Sequence, residues 1–192
     1  KNILIDLAET QWPAMAVESL LEYVNRAERV CLVHNAAVLK KDTSVELTAE
    51  QLRCVLEVNV VAPQRLNALL FPIMKSGSSV LYVGSTLAEK AVSNACSYVL
   101  SKHAGVGLMR ANCQDLAERK IHTVNVCPGF TATEMLREHL GDDESVYKEI
   151  TSGVTQGRLI EAGEIARTLL FCAENPVLNG SVLHANLGQV ER

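Results

Sequence analysis

Tyr98 and Lys102 are the two residues whose types and spacing best suit acid–base chemistry. They lie four positions apart in a segment of helical period, so both side chains project from one helix face. A phenol has a pKa near 10, which is too high for efficient proton exchange at neutral pH. An ammonium about 4 Å away, at an effective dielectric of about 20, would favour the phenolate by on the order of 4 kcal/mol. That interaction would lower the pKa of the tyrosine by up to about three, so the pair predicts an acid–base device.

Ser85 follows an apolar segment that reads as a strand, and its hydroxyl could hold the oxygen of a bound carbonyl compound. Hydride transfer to a carbonyl needs a proton donor beside that oxygen, which the tyrosine could supply. A tyrosine and a lysine at this spacing also arise by chance in many helices. The interpretation therefore depends on the elements that position the three residues and on the motifs around them.

Short apolar, β-branched segments alternate along the chain with longer segments of helical period. Thr48 and Gln51 have the spacing of a capping box at the start of a long helix. Strands that are apolar throughout and separated by helices favour an α/β fold, a doubly wound parallel sheet with helices on both faces. Ligands in such folds bind outside the carboxyl ends of the strands. The sequence predicts strands at residues 2–5, 30–33, 80–83, 122–126 and 181–185, helices at 12–27, 48–75, 97–118 and 161–172, and a polar, mobile region around 141–157.

Composition excludes several classes of function. The formal net charge is −4 and no basic block is present, so neither nucleic acid nor an anionic membrane is an expected partner. The longest apolar runs fall far short of the roughly 20 residues that a membrane span needs. The histidines and cysteines show no metal-ligand spacing, so no metal is expected. The cysteines are scattered without a C-x-x-C pair, which indicates a reducing cytoplasm; they are Cys31, Cys54, Cys96, Cys113, Cys127 and Cys172.

Three motifs around the tyrosine resemble those of one enzyme family. The segment STLAEKAVSNACSYVLSK, residues 85–102, is similar to the Ser, thirteen-residue offset and Tyr-x-x-x-Lys of the classical short-chain dehydrogenase/reductase family. HNAAV at residues 34–38 resembles the family's Asn-Asn-Ala-Gly signature, with His34 in place of the first Asn and Ala37 in place of the Gly. LEVNV at residues 56–60 places Asn59 where the family keeps a fourth catalytic residue. The resemblance implies a Rossmann-like fold and the catalytic set Asn59, Ser85, Tyr98 and Lys102.

The same resemblance implies NAD or NADP as cofactor. CPGFTATEM at residues 127–135 is similar to the family's Pro-Gly loop, in which the backbone near Thr131 and the hydroxyl of Thr133 hold the nicotinamide carboxamide. Asp6 and Leu7 match the acidic position and its neighbour that contact adenine. The implied cofactor-binding residues are Asp6, Leu7, Asn35, Ala36, Ala37, Tyr98, Lys102, Pro128, Gly129, Thr131 and Thr133.

Family members begin with a strand and a glycine-rich turn, T-G-x-x-x-G-x-G, that binds the cofactor's pyrophosphate. No such turn precedes Asp6 in the sequence. We therefore expect residues 1–192 to form a single domain that is incomplete at its N-terminus and lacks two βα units, about 50 residues. The predicted sheet would then have a gap between its strands at residues 2–5 and 30–33.

Two functions remain open from the sequence. The first is a cytoplasmic, NAD(P)-dependent oxidoreductase, resembling the family's 3-oxoacyl-(acyl-carrier-protein)-reductase-like members, that interconverts a small secondary alcohol and a carbonyl. Tyr98 would then be the acid/base, Ser85 the anchor of the substrate oxygen, Lys102 a pKa-lowering charge and ribose contact, and Asn59 a relay support. The alternative is a non-catalytic scaffold or regulatory relative. The two long helices correspond to an oligomer interface in the family, so the resemblance also implies a homodimer or homotetramer.

Overall fold

A computed structural model describes residues 2–9 and 11–190 of the chain, without the side chains of Pro13 and Met15. Its four-stranded sheet has the order β1-β2-β3-β4, and every neighbouring pair is parallel. The strands are β1 (Cys31–His34), β2 (Ser79–Val83), β3 (His122–Pro128) and β4 (Val182–Ala185). The helices are α1 (Trp12–Arg26), α2 (Ala49–Leu56), α3 (Ala62–Leu70), α4 (Cys96–Asp115), α5 (Glu134–Leu140), α6 (Glu144–Ser152) and α7 (Ala162–Glu174).

Helices cover both faces of the sheet. Val80 and Tyr82 of β2 pack on one face against residues of α1, α3 and α4. Leu81 of the same strand points to the other face, where it packs with Val124 and with Cys172 of α7. This alternation follows from the two-residue side-chain period of a strand. The predicted α/β architecture with a parallel, doubly covered sheet is therefore confirmed.

The predicted strand at residues 2–5 is wrong. These residues form an irregular segment whose Ile3 and Ile5 pack against Trp12 and Ala16 of α1. Apolar, β-branched composition indicated a strand, but a strand also needs a neighbour to complete its hydrogen bonds. Within the described ranges the sheet begins at β1. Residues 2–5 therefore pack their apolar side chains against α1 without pairing with another strand.

The long helix predicted at residues 48–75 is present but not uniform. Its capping box forms as expected: Gln51 N donates to Thr48 Oγ1 (3.2 Å), and Thr48 N donates to Gln51 Oε1 (3.0 Å). A π-helical turn at Glu57–Val61 separates α2 from α3, and a 3₁₀ turn at Phe71–Ile73 follows α3. Asn59 is the central residue of the π turn. Such turns are frequent at functional sites because they displace one residue from the regular helical register.

The polar region at residues 141–157, for which the sequence predicted mobility and no helix was named, contains α6. The side chain of Asp143 caps this helix by accepting a hydrogen bond from Ser145 N (2.9 Å). The polar composition suggested a loop, although an aspartate at that position is a helix-start signal. No helix in the described part of the chain has the length and apolar character needed to cross a bilayer.

Candidate active site

The end of β2 places Ser85 at the edge of the sheet. A Cβ at Gly84 would overlap Oδ1 of Asn125 and lie 2.9 Å from Sγ of Cys127. Only glycine therefore lets β2 end this close to β3. Ser85 follows directly, and its Oγ accepts a hydrogen bond from Leu87 N (3.1 Å) at the start of a 3₁₀ turn. The hydroxyl is thus fixed outside the carboxyl end of the strand.

Helix α4 brings Tyr98 and Lys102 to the same edge. Both side chains are buried, with 9% and 8% exposed, respectively. Lys102 Nζ lies 5.3 Å from the centroid of the Tyr98 ring and donates a hydrogen bond to Val83 O (2.8 Å). The Ser85 hydroxyl faces the Tyr98 hydroxyl closely enough to lower the pKa of Tyr98. The structure therefore brings together three of the four residues that the motif singled out.

Burial controls the protonation of this pair. It raises the pKa of Tyr98 to about 12, against a smaller opposing effect of the Ser85 hydrogen bond. Burial also lowers the pKa of Lys102 to about 8. The expected net lowering of the pKa of Tyr98 is therefore wrong, because burial outweighs the charge of the neighbouring ammonium. The cost of desolvating a phenolate dominates, while the ammonium is bonded to the carbonyl of Val83.

Asn59 links the loop after β1 to helix α4. Its side chain accepts a hydrogen bond from Val38 N (2.8 Å) and donates to Val38 O (3.0 Å) and Ser101 Oγ (2.9 Å). Asn59 and Lys102 both line an internal cavity of about 20 Å³. A polar cavity of this size can hold one water molecule. Asn59 therefore lies beside Lys102 without a direct hydrogen bond to it in the described structure.

A buried polar network beneath the site was not predicted from the sequence. His34 Nε2 is hydrogen-bonded to Oδ1 of Asn67 (2.8 Å), and Asn67 Nδ2 donates to the hydroxyl of Tyr82 (2.8 Å). Asn112 Nδ2 donates to the same hydroxyl (2.6 Å). His34 and Tyr82 also line the small cavity beside Lys102. The one sequence signal was His34 itself, a polar residue at the end of an apolar strand.

His34 makes stability depend on pH. Burial lowers its pKa from 6.5 to about 4, so the unfolded chain binds a proton at this residue over that range and the folded chain does not. The free energy of unfolding should fall as pH falls from about 6.5 to about 4, by about 3 kcal/mol in total. Urea unfolding at several pH values measures this slope. His34→Asn should flatten it, whereas His103→Asn, at an exposed histidine, should not; an unchanged slope in His34→Asn would contradict the assignment.

The predicted cofactor residues mostly lie at the same edge of the sheet. Asn35, Ala36 and Ala37 follow β1 directly, and the first two are exposed. Pro128 ends β3, and Gly129 follows it. A Cβ at Gly129 would lie 3.0 Å from Cα of Asn186, so the glycine allows close passage of two loops. The carboxyl ends of β1, β2 and β3 are neighbours, so these residues surround Ser85.

Four other predicted cofactor contacts are held by local hydrogen bonds or packing. Thr131 Oγ1 donates to Gly129 O (3.1 Å), which tightens the loop after β3. Thr133 Oγ1 accepts from Leu136 N (3.3 Å) and so caps α5. Asp6 accepts from Ala8 N (2.9 Å), and Leu7 packs on the cluster around Trp12. The structure thus places Asp6 and Leu7 in the N-terminal segment, and their contact with adenine stays a prediction.

A surface pocket of about 390 Å³ opens near the start of α4. Its walls come from the loops after β1 and β2 and from the end of α5, the element that follows β3. This is the edge at which α/β folds bind ligands. The lining residues are Lys41, Asp42, Thr43, Glu46, Ser93, Asn94, His139 and Leu140.

Comparisons with known proteins agree with this fold. The family model described as enoyl-(acyl carrier protein) reductase matches residues 6–189. The 3-oxoacyl-(acyl-carrier-protein) reductase of Escherichia coli (strain K12) is 28% identical over 98% of this chain and 77% of its own length. Carbonyl reductase family member 4 of Xenopus tropicalis is 29% identical over 86% of this chain and 69% of its own length.

Two solved structures extend the comparison. A variant of the Serratia marcescens short-chain dehydrogenase/reductase superposes with a TM-score of 0.85 at 28% identity, covering 97% of this chain and 75% of its own. A blue fluorescent protein from a metagenomic library, solved in complex with NADPH, gives a TM-score of 0.84 at 25% identity, covering 95% and 73%. The chain belongs to the short-chain dehydrogenase/reductase family. It is therefore an NAD(P)-dependent oxidoreductase.

Proposed function

We propose that the chain interconverts a small secondary alcohol and a carbonyl compound, with Tyr98 as the acid/base. One observation carries the proposal: the buried Tyr98 hydroxyl faces Ser85, whose hydroxyl lowers the Tyr98 pKa, with a buried ammonium beside the ring. Three elements, β2, the 3₁₀ turn after it and α4, converge to build this arrangement. A buried tyrosine and lysine cost stability, and such costs are concentrated at functional sites.

Each residue has a distinct part in the reduction of a carbonyl. When bound, the nicotinamide cofactor supplies the hydride. Ser85 Oγ–H donates a hydrogen bond to the substrate oxygen and holds it beside Tyr98. The Tyr98 hydroxyl, protonated at neutral pH because its pKa is about 12, gives its proton to that oxygen as negative charge develops there. Lys102 then favours the phenolate that remains.

The residues present fit the adenosine, ribose and carboxamide parts of NAD or NADP. Val83 O is the one acceptor that Lys102 Nζ reaches in residues 2–9 and 11–190, although an ammonium has three donors. A buried donor with unused capacity suits the hydroxyls of a ribose. The backbone of Asn35, Ala36 and Ala37 would lie against the adenosine side, and the loop from Pro128 to Thr133 would hold the carboxamide. The metagenomic relative solved with NADPH supports this assignment.

Calorimetric titration with NADH and NADPH, followed by loss of cofactor absorbance with a panel of carbonyl compounds, tests the proposal. The panel should include 3-oxoacyl thioesters, since relatives are named 3-oxoacyl-(acyl-carrier-protein) reductase and acetoacetyl-CoA reductase. We expect saturable binding of one cofactor and turnover of at least one carbonyl. Binding of neither cofactor would favour the scaffold or regulatory alternative.

The proposed setting is a homodimer or homotetramer in the cytoplasm. Exposed apolar side chains on α2 and α4, among them Cys54 and Leu100, support self-association. The six cysteines are free thiols, which supports a reducing compartment. Sedimentation analysis at several concentrations measures the oligomeric state, and a strictly monomeric chain would contradict this part of the proposal.

A further inference from the structure

The start of helix α4 lacks a cap of its own. Its N-cap residue is Ala95, whose side chain can accept no hydrogen bond. The first N–H groups of a helix have no partner within the helix and need an outside acceptor. Tyr98 is the third residue of α4 and so lies in this first turn. The position of the Tyr98 hydroxyl therefore depends on what satisfies the turn.

Asp42, in the loop after β1, supplies the missing acceptor from 55 residues away. Its Oδ1 accepts a hydrogen bond from Ser97 N (2.8 Å), and its Oδ2 accepts one from Ser97 Oγ. Its backbone adds two more bonds, from Cys96 N to Asp42 O (3.3 Å) and from Asp42 N to Asn94 O (3.4 Å). A carboxylate is also favoured at a helix N-terminus by the helix dipole. Ser97 is completely buried, so water cannot replace these bonds easily.

We propose that Asp42 is a positioning residue for Tyr98: it holds the first turn of α4 so that the phenol stays against Ser85. This inference rests on the proposed role of Tyr98 as the acid/base. Asp42 touches neither the reacting atoms nor the hydroxyl of Tyr98; it acts through Ser97, the residue before the tyrosine. Without the carboxylate, the N–H of Ser97 has no acceptor and the turn frays. Small misplacements of a catalytic group cost up to about 10²-fold in rate.

Steady-state kinetics of Asp42→Ala tests the proposal. We expect kcat to fall by about 30- to 100-fold, with the KM for cofactor changed by less than about threefold, because the residues proposed to hold the adenosine and the carboxamide lie outside α4. Asp42→Asn keeps an oxygen acceptor for Ser97 N and should restore most of kcat. Ser97→Ala removes the bond from Ser97 Oγ to Asp42 but keeps the bond from Ser97 N, so it should give a smaller loss of kcat. Amide hydrogen exchange in the peptide 95–102 should accelerate in Asp42→Ala.

Thr48→Ala is the matched control, since it removes a side-chain cap from α2, whose first turn carries no catalytic residue. Thr48→Ala should lower the midpoint of urea unfolding about as much as Asp42→Ala does, and it should leave kcat unchanged. An unchanged kcat in Asp42→Ala, or an equal loss in Thr48→Ala, would overturn the proposal, as would exchange in peptide 95–102 that is no faster. These outcomes differ from failure of the proposed function, which would appear as full turnover in Tyr98→Phe.

Discussion

Tyr98→Phe should lose about 10²- to 10⁴-fold in kcat while the chain keeps its fold. The substitution removes one oxygen and leaves the buried ring in place. General acid catalysis by a positioned side chain contributes about 10²- to 10⁴-fold, and the structure shows no second phenol bonded to Ser85 within the described ranges. The free energy of unfolding should change by only about 1 kcal/mol, the net contribution of an ordinary hydrogen bond.

Initial rates with saturating cofactor and substrate measure this effect, and far-ultraviolet circular dichroism confirms the fold. Tyr23→Phe is the control, because it removes the hydroxyl of a half-exposed tyrosine on α1, away from the site. We expect that variant to keep its turnover. Full turnover in Tyr98→Phe would show that another group donates the proton.

Lys102→Met should separate activity from stability. We expect kcat/KM to fall by about 10²- to 10³-fold, the usual loss when one preorganised charged donor is removed from a site. Burial lowers the pKa of Lys102 from 10.5 to about 8, so the ammonium costs about 3 kcal/mol in this position. Its removal relieves that cost but leaves Val83 O without its donor, which costs about 1–3 kcal/mol. The thermal midpoint should therefore stay unchanged or rise.

Lys75→Met provides the opposite pattern. Lys75 Nζ also donates to backbone carbonyls, those of Asn25 (3.3 Å) and Ala27 (2.8 Å). It is exposed, however, and these bonds join it to the C-terminal end of α1. This variant should keep its activity and lose a little stability. A large loss of stability in Lys102→Met, or near-normal kcat/KM, would contradict the account of Lys102 as a residue kept for chemistry.

The sequence was sufficient for the elements with a strong period and for the motif that they carry. The strands that became β1 to β4 and the helix with Tyr98 and Lys102 lie within a few residues of their predicted bounds. Spacing four apart on one helix necessarily brings Tyr98 and Lys102 to one face. The capping box at Thr48 was predictable because it is a local signal with a known geometry.

The features that the sequence did not reveal depend on contacts between distant segments. The π turn at Glu57–Val61 has no compositional signature, yet it turns Asn59 toward Val38 and Ser101. The acceptor for Ser97 comes from Asp42, which no local pattern connects to α4. The pKa of Tyr98 is raised where the sequence predicted that it would be lowered, because the spacing of residues shows a nearby charge but not the burial of the side chain. Tertiary packing decides each of these.

Transfer of deuterium from the cofactor to the substrate tests the central claim most directly. The chain would be incubated with a carbonyl compound and with NADH or NADPH that carries two deuterium atoms at C4 of the nicotinamide. The mass of the alcohol product would then be measured by mass spectrometry. We predict one deuterium in the product alcohol with the wild-type chain and, over the same time, at least about 10²-fold less deuterated alcohol with Tyr98→Phe. An alcohol without deuterium, or equal amounts of deuterated alcohol from both proteins, would contradict hydride transfer assisted by Tyr98.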